Sequence, residues 1–221
     1  MPAINRSAFA ALLAATLWLP AVALSSPEAL IEAAERGNTA GVRQLLDAGT
    51  PVNGRDARGR NAVLAATQGG HVEAARLLIE RGANVNAQDT IYDSAFLLAG
   101  ARGHTEIVRL ALAAGANLAS TNRYGGTALI PACHYGHVET VGVLVKSGIN
   151  LNHVNNLGWT ALLEAIILGN GGPAHVEIVR LLIEHGASVN LADRQGMSPL
   201  AHAGQRGQEA IVRLLRRAGA R

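Results

Sequence analysis

The chain has 221 residues, 49% hydrophobic but only 3% aromatic, with 19 basic against 16 acidic side chains and a single cysteine. That apolar content excludes a disordered chain, and one cysteine excludes a disulfide framework. A net charge of +3 leaves no strong electrostatic footprint for nucleic acid.

Residues 1–23 read as a targeting segment. Arg6 and the amino terminus give a positive start, and Ala8 to Leu19 is an uncharged apolar run. It is shorter than the roughly 20 residues of a spanning helix. Ala21-Val22-Ala23 fits the small-x-small cleavage rule. The expected mature domain is 24–221, placed in the periplasm or secreted, without stable membrane insertion after cleavage. An uncleaved membrane anchor is the alternative.

The units that follow, at about 26–56, 57–89, 90–121, 122–154, 155–192 and 193–221, each predict a turn and two short helices. In the first, Ser26 can cap a helix with Pro27 at its first position. Val42, Leu45 and Leu46 give the next helix a core stripe. Units two and three carry VEAARLLIERGA and TEIVRLALAAGA, second helices stopped by glycine. Unit three has Tyr92 where a turn glycine is usual, so the loop at 90–94 should be locally atypical. Unit four holds Cys133 at a small helix position, expected to be a buried inert thiol, with a redox sensor as the alternative. Unit five inserts Asn170 to Ala174, read as an exposed loop dispensable for folding. Unit six ends in a basic cap containing Arg213, Arg216 and Arg217.

The residues opening each second helix, Asn38, His71, His104, His137, His175 and Gln208, are spaced by 33, 33, 33, 38 and 33. A fixed period of this length identifies a repeat architecture. GGTAL at 125–129, GWTAL at 158–162, GMSPL at 196–200, the Gly-His pairs, and the LLIERGANVN and LLIEHGASVN runs resemble the ankyrin repeat. The resemblance covers about 26–221 and implies an all-α solenoid of about six helix-turn-helix repeats. It departs from the family where a first-helix His is frequent: Leu64, Leu97, Ile130, Leu163 and Ala201 stand there. Histidines at one repeat position lie about 8–10 Å apart, too far to converge on a metal. They are expected to be structural. His153 and His185 have no evident partner in the sequence.

The resemblance implies a binding scaffold with an extended groove, and neither enzyme nor cofactor. Positions that vary among ankyrin proteins are the turn tips and the residues before Gly-His. Arg58, Arg60 and Gln68 fall there in repeat two. Four of the five mature-chain aromatics fall there too, leaving Phe96 in the core. The expected partner-binding set is Tyr92, Arg102, Arg123, Tyr124, His134, Tyr135, Trp159 and Glu164. The expected partner is another protein, with this chain a monomer. The other reading is a small-ligand receptor with a pocket at Tyr124, Tyr135, Trp159 and Glu164. Glu164 and His202, same-face neighbours, could form an ion pair bridging two repeats or an acid–base pair for hydrolysis. No nucleophile motif accompanies them. Exported bacterial ankyrin proteins, some of which accompany periplasmic catalase, are similar.

Overall fold

The computed structural model describes residues 26–221, so the targeting segment expected at 1–23 lies outside the described residues. Among the described residues, twelve helices form six antiparallel pairs. They are α1 Pro27–Glu35, α2 Thr39–Asp47, α3 Ala62–Gln68, α4 Val72–Glu80, α5 Ala95–Arg102 and α6 Thr105–Ala113. The chain continues through α7 Leu129–His134, α8 Val138–Leu144, α9 Ala161–Ile167, α10 Pro173–Glu184, α11 Pro199–Gln205 and α12 Glu209–Arg217. Odd helices stack on odd helices and even on even, which makes a solenoid with an inner and an outer layer.

Helices of 6 to 12 residues do not persist alone in water. Stacking supplies their stability. Ala66, Ala99, Ala132, Ala165 and Ala203 recur at one inner-helix position, all fully buried, and let the inner layer pack closely. Phe96, Leu129 and Leu162 fill the space between repeats. Most inner helices start on a polar cap: Asn61, Ser94, Thr160 and Ser198 each accept from the backbone N–H three residues on, at 3.1 to 3.3 Å. Ser26 does the same for Ala29.

The repeats are also tied polar group to polar group. The imidazole Nε2 of His71, His137 and His175 bonds the carbonyl of Glu35, Ala101 and His134 in the preceding repeat, at 3.0, 3.2 and 2.9 Å. Gln208 Nε2 takes the same role toward Ile166 at 3.0 Å. The glycine before each helix makes room for these rings: a Cβ on Gly103, at φ +70°, would stand 2.6 Å from the His137 ring. His71, His137 and His175 are therefore structural, as their period implies, whereas the Nε2 of His104 is buried without a partner. His153 and His185 also find partners, the carbonyls of Gly125 and Leu181. A second tie runs along the opposite edge. Asn86 donates to the Gly115 carbonyl and accepts from Asn117 N–H; Asn53 does the same one repeat earlier.

Three local expectations need correction. Tyr92 adopts the left-handed conformation itself, at φ +64° beside +75° for Gly59 and +71° for Gly125. The Asp89 carboxylate still accepts from the N–H groups of Ile91 and Asp93, so the turn keeps its shape and the tyrosine carries the strain. The insertion is only partly a loop: Pro173 and Ala174 begin α10, capped by Gly172. His175 thus lies inside a helix, its Nδ1 held by Asn170 at 3.0 Å. Arg60 is not a free turn-tip cation. Its side chain is 4% exposed and bonds Glu35, Asp56 and Gln68, which clamps repeat one to repeat two.

Cys133 is fully buried. Burial first, and the Glu164 charge second, push its pKa up. It is an inert thiol rather than the low-pKa thiolate that redox sensing needs.

Candidate functional site

Residues one repeat apart stack into rows, and three such rows enclose a groove across repeats three to five. Leu98, Pro131 and Glu164 hold equivalent positions on α5, α7 and α9 and form its floor. Turn tips make one wall, where Tyr124 and Leu157 are 58% and 51% exposed. The ends of the inner helices make the other, with Arg102, Tyr135 and Leu168. The cavity measures about 850 Å³.

The walls are braced. The Arg123 guanidinium lies 4.8 Å over the Tyr124 ring and 3.8 Å from the Asp93 carboxylate. The His134 and Tyr135 rings stack at 4.2 Å. The carbonyl of His134 is fixed by His175, so the inter-repeat tie also anchors the wall. Burial lowers the His134 pKa, aided by His175, which keeps that ring neutral around pH 7. Aromatic rings held this way lose little entropy on docking.

The ends of the groove differ in charge. Arg102 of repeat three, and Arg123 of the repeat-four turn reaching back to Asp93, stand toward the repeat-three end. There burial, with Asp89, pushes the Asp93 carboxyl up, and the two arginines oppose the rise. Glu164 stands at the repeat-five end, 7% exposed. Its Oε2 accepts from Asn155 Nδ2 at 3.3 Å. Burial pushes its pKa up to about 7 despite that bond.

Of the predicted set, Arg102, Arg123, Tyr124, His134, Tyr135 and Glu164 line this one groove. Tyr92 and Trp159 do not: Tyr92 is 60% exposed outside it, and Trp159 is half-buried. Several groove residues lay outside the predicted set, among them Leu98, Pro131, Leu157 and Leu168. The repeat period could have found them. Leu157 and Leu168 lie 33 residues after Tyr124 and Tyr135, and Leu98 and Pro131 precede Glu164 by 66 and 33.

The expected Glu164–His202 pairing does not form. His202 Nε2 bonds Asp193 at 2.7 Å within its own repeat. Asp193 is the repeat-six counterpart of Asn155, so Glu164 and His202 each turn back onto the Asx residue of their own turn. Neither a bridging ion pair nor an acid–base pair results.

A family profile described as ankyrin repeats (3 copies) matches residues 10–89, 92–155 and 151–221. The chain belongs to the ankyrin-repeat family. An ankyrin repeat domain from Acinetobacter baumannii AYE is similar over 87% of this chain and 98% of its own, at 53% identity and a TM-score of 0.84. A second solved ankyrin repeat protein, EF0377, is 38% identical with a TM-score of 0.82, covering 86% of this chain and 97% of that one. The ankyrin repeat domain of Bcl-3, a member of the IkappaB family, is 29% identical with a TM-score of 0.77, covering 87% and 86%. The ankyrin repeat protein YahD of Escherichia coli (strain K12) is 53% identical over 57 residues, 26% of this chain and 28% of YahD. Ankyrin repeats generally mediate protein–protein interaction. The ankyrin array described above has that architecture: a rigid solenoid and an open groove.

Proposed function

We propose that this ankyrin protein is an exported interaction scaffold whose groove across repeats three to five takes a segment of another protein. The observation that carries this is the pair of apolar and aromatic walls, in which Tyr124, Tyr135, Leu157 and Leu168 remain 43–60% exposed. Tyr and Arg concentrate binding energy at interfaces, and these side chains contribute nothing to the stack beneath them. The targeting segment read in residues 1–23 supports export to the periplasm or medium. The resemblance to exported ankyrin proteins, some of which accompany catalase, is what supports a role in protection from peroxide.

A pull-down from periplasmic extract tests the groove. The wild-type chain should retain a partner that Tyr124→Ala and Tyr135→Ala each lose while both variants stay folded. A partner retained equally by both variants overturns the assignment. Mass spectrometry should place the mature amino terminus between Leu24 and Ser26, and an intact Met1 on the cellular protein overturns export. The receptor reading draws support from the cavity volume of about 850 Å³, which falls in the range of small-ligand sites. A thermal shift produced by a metabolite and lost in Tyr135→Ala would favour it over a protein segment.

A further inference from the structure

The groove floor carries a carboxylate that the stack does not need. Leu98 and Pro131 fill the equivalent position in repeats three and four, and Ala65 fills it in repeat two. Glu164 is more than nine-tenths buried, yet it lines the open groove. One of its oxygens accepts from the neutral Asn155 amide, and among the described residues no cation forms an ion pair with it. Its counterpart His202, by contrast, meets a carboxylate at 2.7 Å. A buried carboxylate is costly unless a cation meets it. The titratable groups facing it from the packed helices do not supply one. Cys133 and His134 on α7 are a buried thiol and a ring whose pKa burial lowers, and His202 on α11 is turned onto Asp193. The arginines of the groove stand at its other end.

We infer that Glu164 anchors an ammonium or guanidinium group, the Lys or Arg side chain of an extended partner segment lying along the groove. Apolar residues flanking that cation seat against Leu157 and Leu168, and an acidic residue of the segment meets Arg102 and Arg123. Arg102 and Glu164 lie two repeats apart, roughly 16–20 Å at 8–10 Å per stacked helix. An extended chain covers that distance in about five or six residues. The partner motif is therefore an acidic and a basic residue separated by that interval, with apolar residues between. The inference rests on the groove being the binding face.

Panning the full mature chain against a random dodecapeptide library on phage tests both levels separately. Wild type should enrich peptides with Lys or Arg at one fixed position and Asp or Glu about five or six residues away. Panning on Glu164→Gln should lose the basic preference, and Tyr124→Ala or Tyr135→Ala should recover none of these peptides. Circular dichroism establishes that each variant is folded. Peptides that Tyr124→Ala loses, but that show no basic residue or keep it on Glu164→Gln, overturn the cation assignment and leave the groove standing. No recovered peptide sensitive to Tyr124→Ala or Tyr135→Ala overturns both. Affinity for a recovered peptide should fall about tenfold from pH 8 to pH 6 as the free carboxyl takes a proton. Glu164→Gln should remove most of this dependence. The variant retains Asp93, His134, His137, His202 and both groove arginines, so the lost portion belongs to Glu164. Equal pH dependence in the two proteins also overturns the assignment.

Discussion

At the scale of single residues, the chain carries two costs that its fold does not require. Glu164 is one. Its folded pKa of about 7 lies above the ordinary 4.5. A carboxyl raised on folding costs nothing below pH 4.5, an increasing amount between the two values, and the full amount above about 7. Glu164→Gln should therefore match wild type in thermal stability near pH 4. It should exceed wild type by on the order of 2–3 kcal/mol at pH 8. Melting curves across that range check this, and a gain independent of pH would refute the burial argument. Tyr92 is the other. A left-handed non-glycine residue costs about 1–2 kcal/mol, so Tyr92→Gly should stabilise by about 1 kcal/mol after the added freedom of the unfolded chain is subtracted. Denaturant unfolding measures it.

At the scale of elements, the ties between neighbours matter more than any helix alone. Arg60 joins α1 to the turn before α3 through Glu35 and Asp56. Arg60→Met should cost about 2–3 kcal/mol, at the low end for a broken buried pair because Glu35 is half-exposed. Bonds to Arg60 hold the Glu35 carboxyl below its ordinary 4.5. For Asp56, burial works against the arginine, but the bonds prevail and its pKa is also lowered. Carboxyls depressed in this way stabilise above their unfolded pKa, and that stability is lost as pH falls through the folded values. The difference between wild type and Arg60→Met should accordingly shrink below about pH 4. The insertion in repeat five behaves differently. Deleting Asn170–Ala174 joins Gly169 to His175 and recreates the Gly-His junction of the other repeats, while the His175 tie to the His134 carbonyl can persist. The melting temperature should stay within about a few degrees, since loop length costs little. Scanning calorimetry reads this directly.

At the scale of the whole molecule, stability is a sum over interfaces between repeats, and one interface lacks a tie that the others have. The asparagine ladder of Asn53, Asn86, Asn152 and Asn190 is broken at Ala119, which joins repeats three and four. Ala119→Asn should restore bonds to the backbone of Gly148 and Asn150 and add about 1 kcal/mol, visible as slower amide exchange in α5 to α8. Core and groove should also separate cleanly. Leu144 is fully buried, and Leu144→Ala should cost roughly 2–5 kcal/mol. Tyr124→Ala and Tyr135→Ala, more than half-exposed, should each cost far less and report on binding instead.

The sequence by itself determined the solenoid, the structural role of His71, His137 and His175 and most of one wall of the groove. These follow from a period of 33 residues, because equal positions in a stack meet equal neighbours. Tertiary structure decided what the period hides. Trp159 and Tyr124 both flank turn glycines, yet only Tyr124 lines the groove, since side-chain direction depends on which face of the turn a residue occupies. Glu164 and His202 share a face, but each is closer to the Asx side chain of its own turn than to the other. Leu98, Pro131 and Leu168 form an apolar floor and far wall only because stacking leaves an open channel above them. A linear pattern records which positions are equivalent, and packing alone decides which of them remain uncovered.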